Sequence, residues 1–251
     1  MERAVETMNL NDIEKLGVPD QVLSVVPQVE QRTGIPIEFR EIDEAAKSKL
    51  GQFAKAEAVL DIDAQYQTIR VWIAPECRRA HAITHELLHL KRDVLEGSPR
   101  WFPSVDAPVG SEALVFSLQT ELDHLYVIPE EIALHPEAQG WWDNHYEETI
   151  GRAAERQDHF AIAMHWALLR TTMPESNRAM LACAERVRTL PSAWLRVINN
   201  YQCDVRDALH DPMALMAHQI AFVRQAYPDD AQYFMRGKYI SEGGRLGVKC
   251  L

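Results

Sequence analysis

The amino-acid sequence predicts an α+β protein: a small antiparallel sheet packed on one central helix, followed by an all-helical second half. Two observations predict this fold. Segments that alternate apolar and polar residues, the pattern of half-buried strands, occur in the first third of the chain. From about residue 143 these patterns give way to residues that start and stop helices. We therefore expect two domains, a sheet-containing domain over 1–140 and a helical domain over 141–251.

The elements of the first third follow from this alternation and from proline and glycine positions. A helix is predicted over 20–33, kinked or split by Pro27, and a second short helix over 43–56. Alternation predicts three strands, the last two joined as a hairpin by A-Q-Y-Q. The predicted strands are Ile35–Ile42, Ala58–Asp63 and Thr68–Ala74.

Longer helices are predicted next. One runs from about Arg78 to Asp93, and a proline-containing loop follows over 97–110. Ser111 can cap a second helix that reaches about Val127, where Pro129 is expected to stop it. About five further helices are predicted, and the chain then ends in the glycine-rich segment S-E-G-G-R-L-G-V-K-C-L.

Composition restricts the class of function. The 251 residues include 26 Lys and Arg against 37 Asp and Glu, a formal net charge of −11. Because such a chain repels phosphate backbones, we expect no nucleic-acid partner. No run of about 18 apolar residues suggests a membrane span, and the first residues do not form a secretory signal. The four cysteines are far apart without a C-x-x-C motif, so we expect a protein of the reducing cytoplasm.

The most informative segment is H-E-L-L-H, which contains His85, Glu86 and His89. Residues four apart stack on one face of a helix, so the two imidazoles can bind one metal ion. Glu86 lies beside them, within reach of a water molecule on that metal. This is the arrangement of metal-assisted hydrolysis, in which zinc acidifies the water and the glutamate passes its proton to the leaving amine.

A third protein ligand would leave one open position on a tetrahedral zinc. After His89 the chain continues L-K-R-D-V-L-E-G, so no third histidine follows closely. The later segment L-Q-T-E-L-D-H-L places Glu121 and His124 three residues apart on one helix face. One of the two can bind zinc while the other supports it or contacts substrate. We favour Glu121 as the third ligand, with His124 as the alternative and Glu112 as a weaker candidate.

Other side chains could assist or inhibit such a site. Cys77 and Cys250 could act as inhibitory thiolates, because thiolate is a good zinc ligand. His81 lies one turn before His85, where partial exposure is the simplest expectation. Eight tyrosines and histidines could stabilise an oxyanion, and the sequence does not choose among them: Tyr126, His145, Tyr146, His159, His165, Tyr201, His210 and Tyr239.

The segment T-H-E-L-L-H-L, preceded by strands and followed by a glutamate-bearing helix, resembles the zincin metallopeptidases. It looks like the gluzincin pattern and is distantly similar to the regulatory ImmA/IrrE-type bacterial metallopeptidases. The resemblance covers about residues 35–130. It implies that His85 and His89 bind zinc, that Glu86 is the general base and acid, and that a downstream glutamate completes the site.

These observations together predict a cytoplasmic zinc-dependent peptidase, a hydrolase that acts on a peptide or protein substrate. By analogy with the resembled family, a regulatory protease of narrow specificity is expected. The alternative is a zinc-containing protein-binding module without peptidase activity. A metal-free helical adaptor is a third possibility, and the zinc content of the protein would distinguish it from the other two.

Overall fold

The structure is a computed structural model that describes residues 7–51, 56–76 and 78–251. The described residues form a mixed α+β structure, as predicted. The chain divides into two compact units. The N-terminal unit comprises Met1–Ser98 and Gly237–Leu251, and the helical unit comprises Pro99–Arg236.

The N-terminal unit alternates short helices with strands. The predicted helix over 20–33 is present but divided at Ser24. The helix Ala80–Leu90 continues directly into a wider π-helical turn, Lys91–Glu96. This turn ends at Gly97, which has a φ of +63°. In chain order the elements are β1 (Thr7–Met8), α1 (Leu10–Lys15), α2 (Asp20–Leu23), α3 (Val25–Thr33), β2 (Ile37–Glu41), α4 (Glu44–Leu50), β3 (Ala58–Asp63), β4 (Thr68–Ile73) and α5 (Ala80–Leu90).

These strands form one sheet in the order β1-β2-β4-β3. The predicted hairpin of β3 and β4 is confirmed, with Leu60 opposite Val71. The prediction of an antiparallel sheet is wrong in one respect, because β2 and β4 are parallel, with Ile37 opposite Ile69. In the chain, α4 and β3 lie between β2 and β4. They bring the chain back to the end of the sheet where β2 begins, so β4 can run parallel to β2. β3 is left as an edge strand of this sheet.

α5 packs against β3 and β4 through its apolar side. Ile83, Leu87, Leu88 and Leu90 are at most 1% exposed. Burial of each such side chain stabilises the fold by about 1.5–3 kcal/mol, which is ample to hold one short helix on the sheet. The histidines of the motif are thus carried by a helix whose rotation about its own axis is fixed by packing.

Among the described residues, the helical unit contains one complete short strand, six α-helices and the 3-10 helix Ala231–Tyr233. α6 continues through Pro129, so the predicted stop at this residue is wrong. Proline lacks only its own N–H donor, and a long helix packed in a core can lose that one hydrogen bond. The elements are β5 (Arg100–Pro103), α6 (Val109–Leu134), α7 (Ala138–Glu155), α8 (His159–Thr172), α9 (Asn177–Arg188), α10 (Ser192–Ala208) and α11 (Pro212–Ala226).

These helices share one apolar core, to which Leu118, Trp142, Leu169 and Phe222 belong. The predicted domain boundary at 140 does not coincide with the observed division, because residue 140 lies within this core-forming part of the chain. The sequence pattern marks the change from strands to helices, whereas packing joins α6 to the helices that follow it. Among the described residues, no helix combines the length and apolarity needed to cross a membrane.

The end of the chain is a hairpin, so the prediction of an all-helical second half is wrong there. β6 (Phe234–Glu242) and β7 (Arg245–Cys250) pair antiparallel, and the strand order is β5-β6-β7. The turn consists of Gly243 and Gly244, with φ of +60° and +76°. A two-residue hairpin turn of this kind needs positive φ at both positions, which glycine adopts without strain.

Side-chain hydrogen bonds join this hairpin to the rest of the N-terminal unit. The Gln67 side chain donates to the carbonyl of Leu246 at 2.8 Å and accepts from its N–H at 2.9 Å. The Ser241 hydroxyl donates to the carbonyl of Arg32 at 2.7 Å. The amide of Gln67 thereby substitutes for the backbone partner that a neighbouring strand would supply.

Candidate metal centre

The two histidines of the H-E-x-x-H motif lie on consecutive turns of α5. Their Nε2 atoms are 3.0 Å apart, and their rings meet edge to face with centroids 4.7 Å apart. His89 is buried and His85 is half-buried. The spacing of the motif therefore brings the two nitrogens together, as the sequence predicts.

Glu86 lies at the outer edge of the sheet. Its Oε2 accepts a hydrogen bond from the N–H of Leu60 at 2.7 Å. In an antiparallel pair, alternate residues direct their N–H groups toward the partner strand and away from it. The Leu60 N–H points away from β4, so the Glu86 carboxylate lies beside the open edge of β3.

The two histidines of α5 could share a metal ion, since their Nε2 atoms are close enough to face one cation. Imidazole is a ligand for zinc, copper, iron and nickel. His124, the alternative third ligand that the sequence proposes, is buried in α6.

Glu121, the third ligand favoured by the sequence, lies in α6 one turn before His124. Its Oε2 is 3.6 Å from Nδ1 of His124 and 3.7 Å from Nδ1 of His165. The Glu121 side chain is only 14% exposed. The carboxylate is therefore held between two imidazoles, one from its own helix and one from α8.

The surroundings of Glu121 set its charge. Burial by itself raises the pKa of this carboxyl, but His165, followed by His124 and His145, outweighs burial and lowers the pKa to about 2. His145, in α7, has a pKa that is lowered, so its charged form is disfavoured although an acidic group is near. Burial lowers its pKa to about 4 despite the attraction of Glu121. At neutral pH the cluster thus contains an ionised carboxylate and a neutral His145.

His145 and His165 are the residues whose connection to Glu121 the sequence does not reveal. They lie on α7 and α8, and neither has a fixed spacing to residue 121 that a helix or strand period would explain. Only the packing of α6, α7 and α8 brings them together. An unusual number of histidines in the helical half is the only sequence signal, and it does not identify partners.

The remaining predicted residues are placed as follows. Cys77 lies outside the described residues. Cys250 is exposed in β7. His81 is 6% exposed on α5, so the expectation of partial exposure is wrong. The helix carries His81 on the side that packs into the fold.

Comparison of the chain with models of known protein families, with curated proteins and with solved structures finds no match. Its resemblance to zincin peptidases thus depends on the motif residues and the order of the elements around them. The function has to be argued from the geometry of the site itself.

Proposed function

We propose that this chain is a zinc-dependent peptidase in which His85 and His89 hold the ion and Glu86 is the general base. The observation that carries the proposal is the 3.0 Å separation between the Nε2 atoms of His85 and His89. Two imidazole nitrogens this close, with a glutamate next in sequence to one of them, are the arrangement that metal-assisted hydrolysis needs.

The donor set fits zinc. Zinc binds imidazole nitrogen at about 2.0–2.1 Å in a tetrahedron, which sets two ligand nitrogens about 3.3 Å apart. The His85 and His89 nitrogens are 3.0 Å apart, close to this separation. Two lone pairs at this distance repel each other unless a proton or a cation lies between them. A third protein donor beside these two would leave one position open for water or substrate, as in catalytic zinc sites.

In this proposal Glu86 acts on a peptide bound along the edge of β3 that faces away from β4. An extended peptide can pair with an exposed edge strand through main-chain hydrogen bonds. Glu86 would take a proton from the attacking water and deliver it to the leaving amine. When bound, zinc would polarise the scissile carbonyl and lower the pKa of that water. The hydrogen bond from Leu60 to Glu86 holds the carboxylate at this edge.

The variant Glu86→Gln tests the proposal. It keeps the size of the side chain but removes the base, so we expect full zinc content and a 10²- to 10⁴-fold loss of hydrolysis, approximately the usual contribution of a general base. Zinc is measured by elemental analysis, and cleavage of a mixed peptide library by mass spectrometry. Glu44→Gln is the matched control, since the Glu44 side chain is 90% exposed. Cleavage that persists in Glu86→Gln would contradict the proposal.

The second candidate is a zinc-containing protein-binding module without peptidase activity. It is favoured by the hydrogen bond that Glu86 accepts from the Leu60 N–H. This contact gives the carboxylate a structural role that does not depend on a substrate. One zinc per chain with no cleavage of any library peptide would support this candidate. Absence of zinc in the wild-type protein would exclude both functions and leave the metal-free adaptor.

A further inference from the structure

The helical unit contains a small cavity whose lining residues all lie within Pro99–Arg236. Its volume is about 240 Å³. Apolar surface comes from Trp101 of β5, Ile220 of α11 and Phe234, the first residue of β6. Small-molecule sites are typically concave and mostly apolar with a few charged groups, and drug-sized ligands occupy about 300–1,000 Å³. A cavity of this size therefore suits a smaller ligand with a single ring.

Hydrogen bonds hold the apolar wall of this cavity in place. The indole N–H of Trp101, a side chain that is 3% exposed, donates to Oε1 of Gln219 at 2.6 Å. The Gln219 side chain in turn donates to the carbonyl of Leu118 at 2.8 Å. The Trp101 ring also meets the Phe234 ring edge to face, with centroids 5.5 Å apart. Because the indole is fixed before a ligand enters, little ordering is needed on binding.

One face of α11 borders the cavity. Ala217, Ile220 and Arg224 line it, and their spacing of three and four residues places them on the same side of the helix. Ala217 has only a methyl group, so it leaves space at this face that a longer side chain would fill.

Two exposed arginines, Arg224 and Arg236, also line the cavity. Among the described residues, neither guanidinium has an ion pair or a side-chain hydrogen bond. No acidic side chain occurs among the described residues of the lining, although the whole chain has a net charge of −11. A guanidinium can donate two parallel hydrogen bonds to one carboxylate, so these groups favour a carboxylate ligand.

We propose that this cavity binds a small aromatic monocarboxylate, with its ring against Trp101 and Phe234 and its carboxylate on Arg224 and Arg236. Aromatic walls favour a ring in an offset or edge-to-face contact, and the two cations determine the charge of the ligand. An inorganic anion would use the cations without the apolar wall, and a neutral ring would use the wall without the cations. The inference is independent of the proposed peptidase activity, because it uses residues of the helical unit alone.

The first test is the binding of hydrocinnamate to the full chain, measured by isothermal titration and by ligand-observed NMR. We expect a dissociation constant of about 1 mM or lower. The amide of hydrocinnamate lacks the charge and propionate lacks the ring, so each should bind at least about tenfold more weakly. No binding of hydrocinnamate, or equal binding of its amide, would overturn the proposal. Tighter binding of the peptide acetyl-Ala-Ala-Phe would assign the cavity to a peptide C-terminus and overturn the assignment to a free acid.

The second test uses variants to locate the ligand. The double variant Arg224→Gln with Arg236→Gln should bind hydrocinnamate about 10- to 100-fold more weakly. Ala217→Leu should also weaken binding at least about tenfold, since the larger side chain fills the cavity. All three positions are exposed, so the fold should persist, as circular dichroism would verify. Arg188→Gln is the control, because Arg188 is an exposed arginine of α9 outside the cavity lining. Wild-type affinity in the double variant or in Ala217→Leu, or an equal loss in Arg188→Gln, would contradict this site.

Discussion

The two histidine sets of this protein are built in different ways. His85 and His89 stand one turn apart on a single helix, and their Nε2 atoms are 3.0 Å apart. His124, His145 and His165 surround Glu121 only because α6, α7 and α8 pack together. The first set needs one correctly formed helix, whereas the second needs a folded core. Local spacing thus forms the first set, and tertiary packing forms the second.

The largest effect is expected within α5, where His89 and His81 offer a direct contrast. His89→Ala removes a proposed ligand and should abolish stoichiometric zinc binding and all hydrolysis, because only one imidazole of the motif remains. His81→Ala is the matched control, since His81 is also buried on this helix and lies outside the group of possible ligands. Elemental analysis and isothermal titration with zinc give the result. Equal zinc content in the two variants would contradict the assignment of His89.

The next largest effect is expected in the apolar core of the helical unit, whose packing brings His124, His145 and His165 to Glu121. Phe222 is 2% exposed and stacks on Phe160 at 4.5 Å and on Tyr201 at 4.1 Å. Phe222→Ala should lower the free energy of unfolding by about 3–5 kcal/mol, since it leaves a cavity between two rings. Urea denaturation followed by circular dichroism measures the change. Leu181→Ala is the control, because Leu181 is 72% exposed and its loss should be nearly neutral.

Alkaline pH should weaken the helical unit by a smaller amount. Burial raises the pKa of the Cys183 thiol from 9.0 to about 11. The unfolded chain therefore releases this proton first, and stability falls as the pH rises from about 9 to 11, by at most about 3 kcal/mol. Burial also raises the pKa of Tyr146 and Tyr201, so the decline continues at higher pH. Thermal unfolding of wild type and Cys183→Ala across this range isolates the thiol, and identical pH profiles would contradict its contribution.

The smallest expected effect concerns the backbone donor to Glu86. Leu60→Pro removes the N–H that binds the carboxylate, and proline is tolerated in an edge strand. We expect kcat to fall by about tenfold, the equivalent of about 1.4 kcal/mol, with zinc content unchanged. Leu60→Ala keeps the N–H and is the control for the lost side chain. A Leu60→Pro protein with wild-type kcat would show that this contact does not position the base.

Features that depend on neighbours in sequence could be predicted. The approach of His85 to His89 follows from the period of a helix, and the β3–β4 hairpin follows from alternation around a short turn. Both are determined by residues within one or two elements. The zincin resemblance depends on the same short segment, so it predicts which helix binds metal without predicting the partners of that helix.

Features that depend on packing could not be predicted. Pro129 stays inside α6 because the surrounding core stabilises the long helix more than one lost hydrogen bond weakens it. The parallel pairing of β2 with β4 depends on the path that α4 and β3 take between them. His165 meets Glu121 across forty-four positions of sequence, a separation with no periodic signal.

The hairpin follows the helical unit in the chain but belongs to the N-terminal unit, and this affects the order in which the two units can fold during synthesis. The helical unit is one continuous segment, Pro99–Arg236, whereas the unit that carries α5 includes Gly237–Leu251. A ribosome synthesises every helix of the helical unit before it synthesises the hairpin strands of the other unit. Until Leu246 is synthesised and can bind Gln67, the unit that contains the proposed metal-binding helix lacks part of its own structure. A nascent chain can therefore complete its helical unit before the unit that carries the proposed catalytic glutamate.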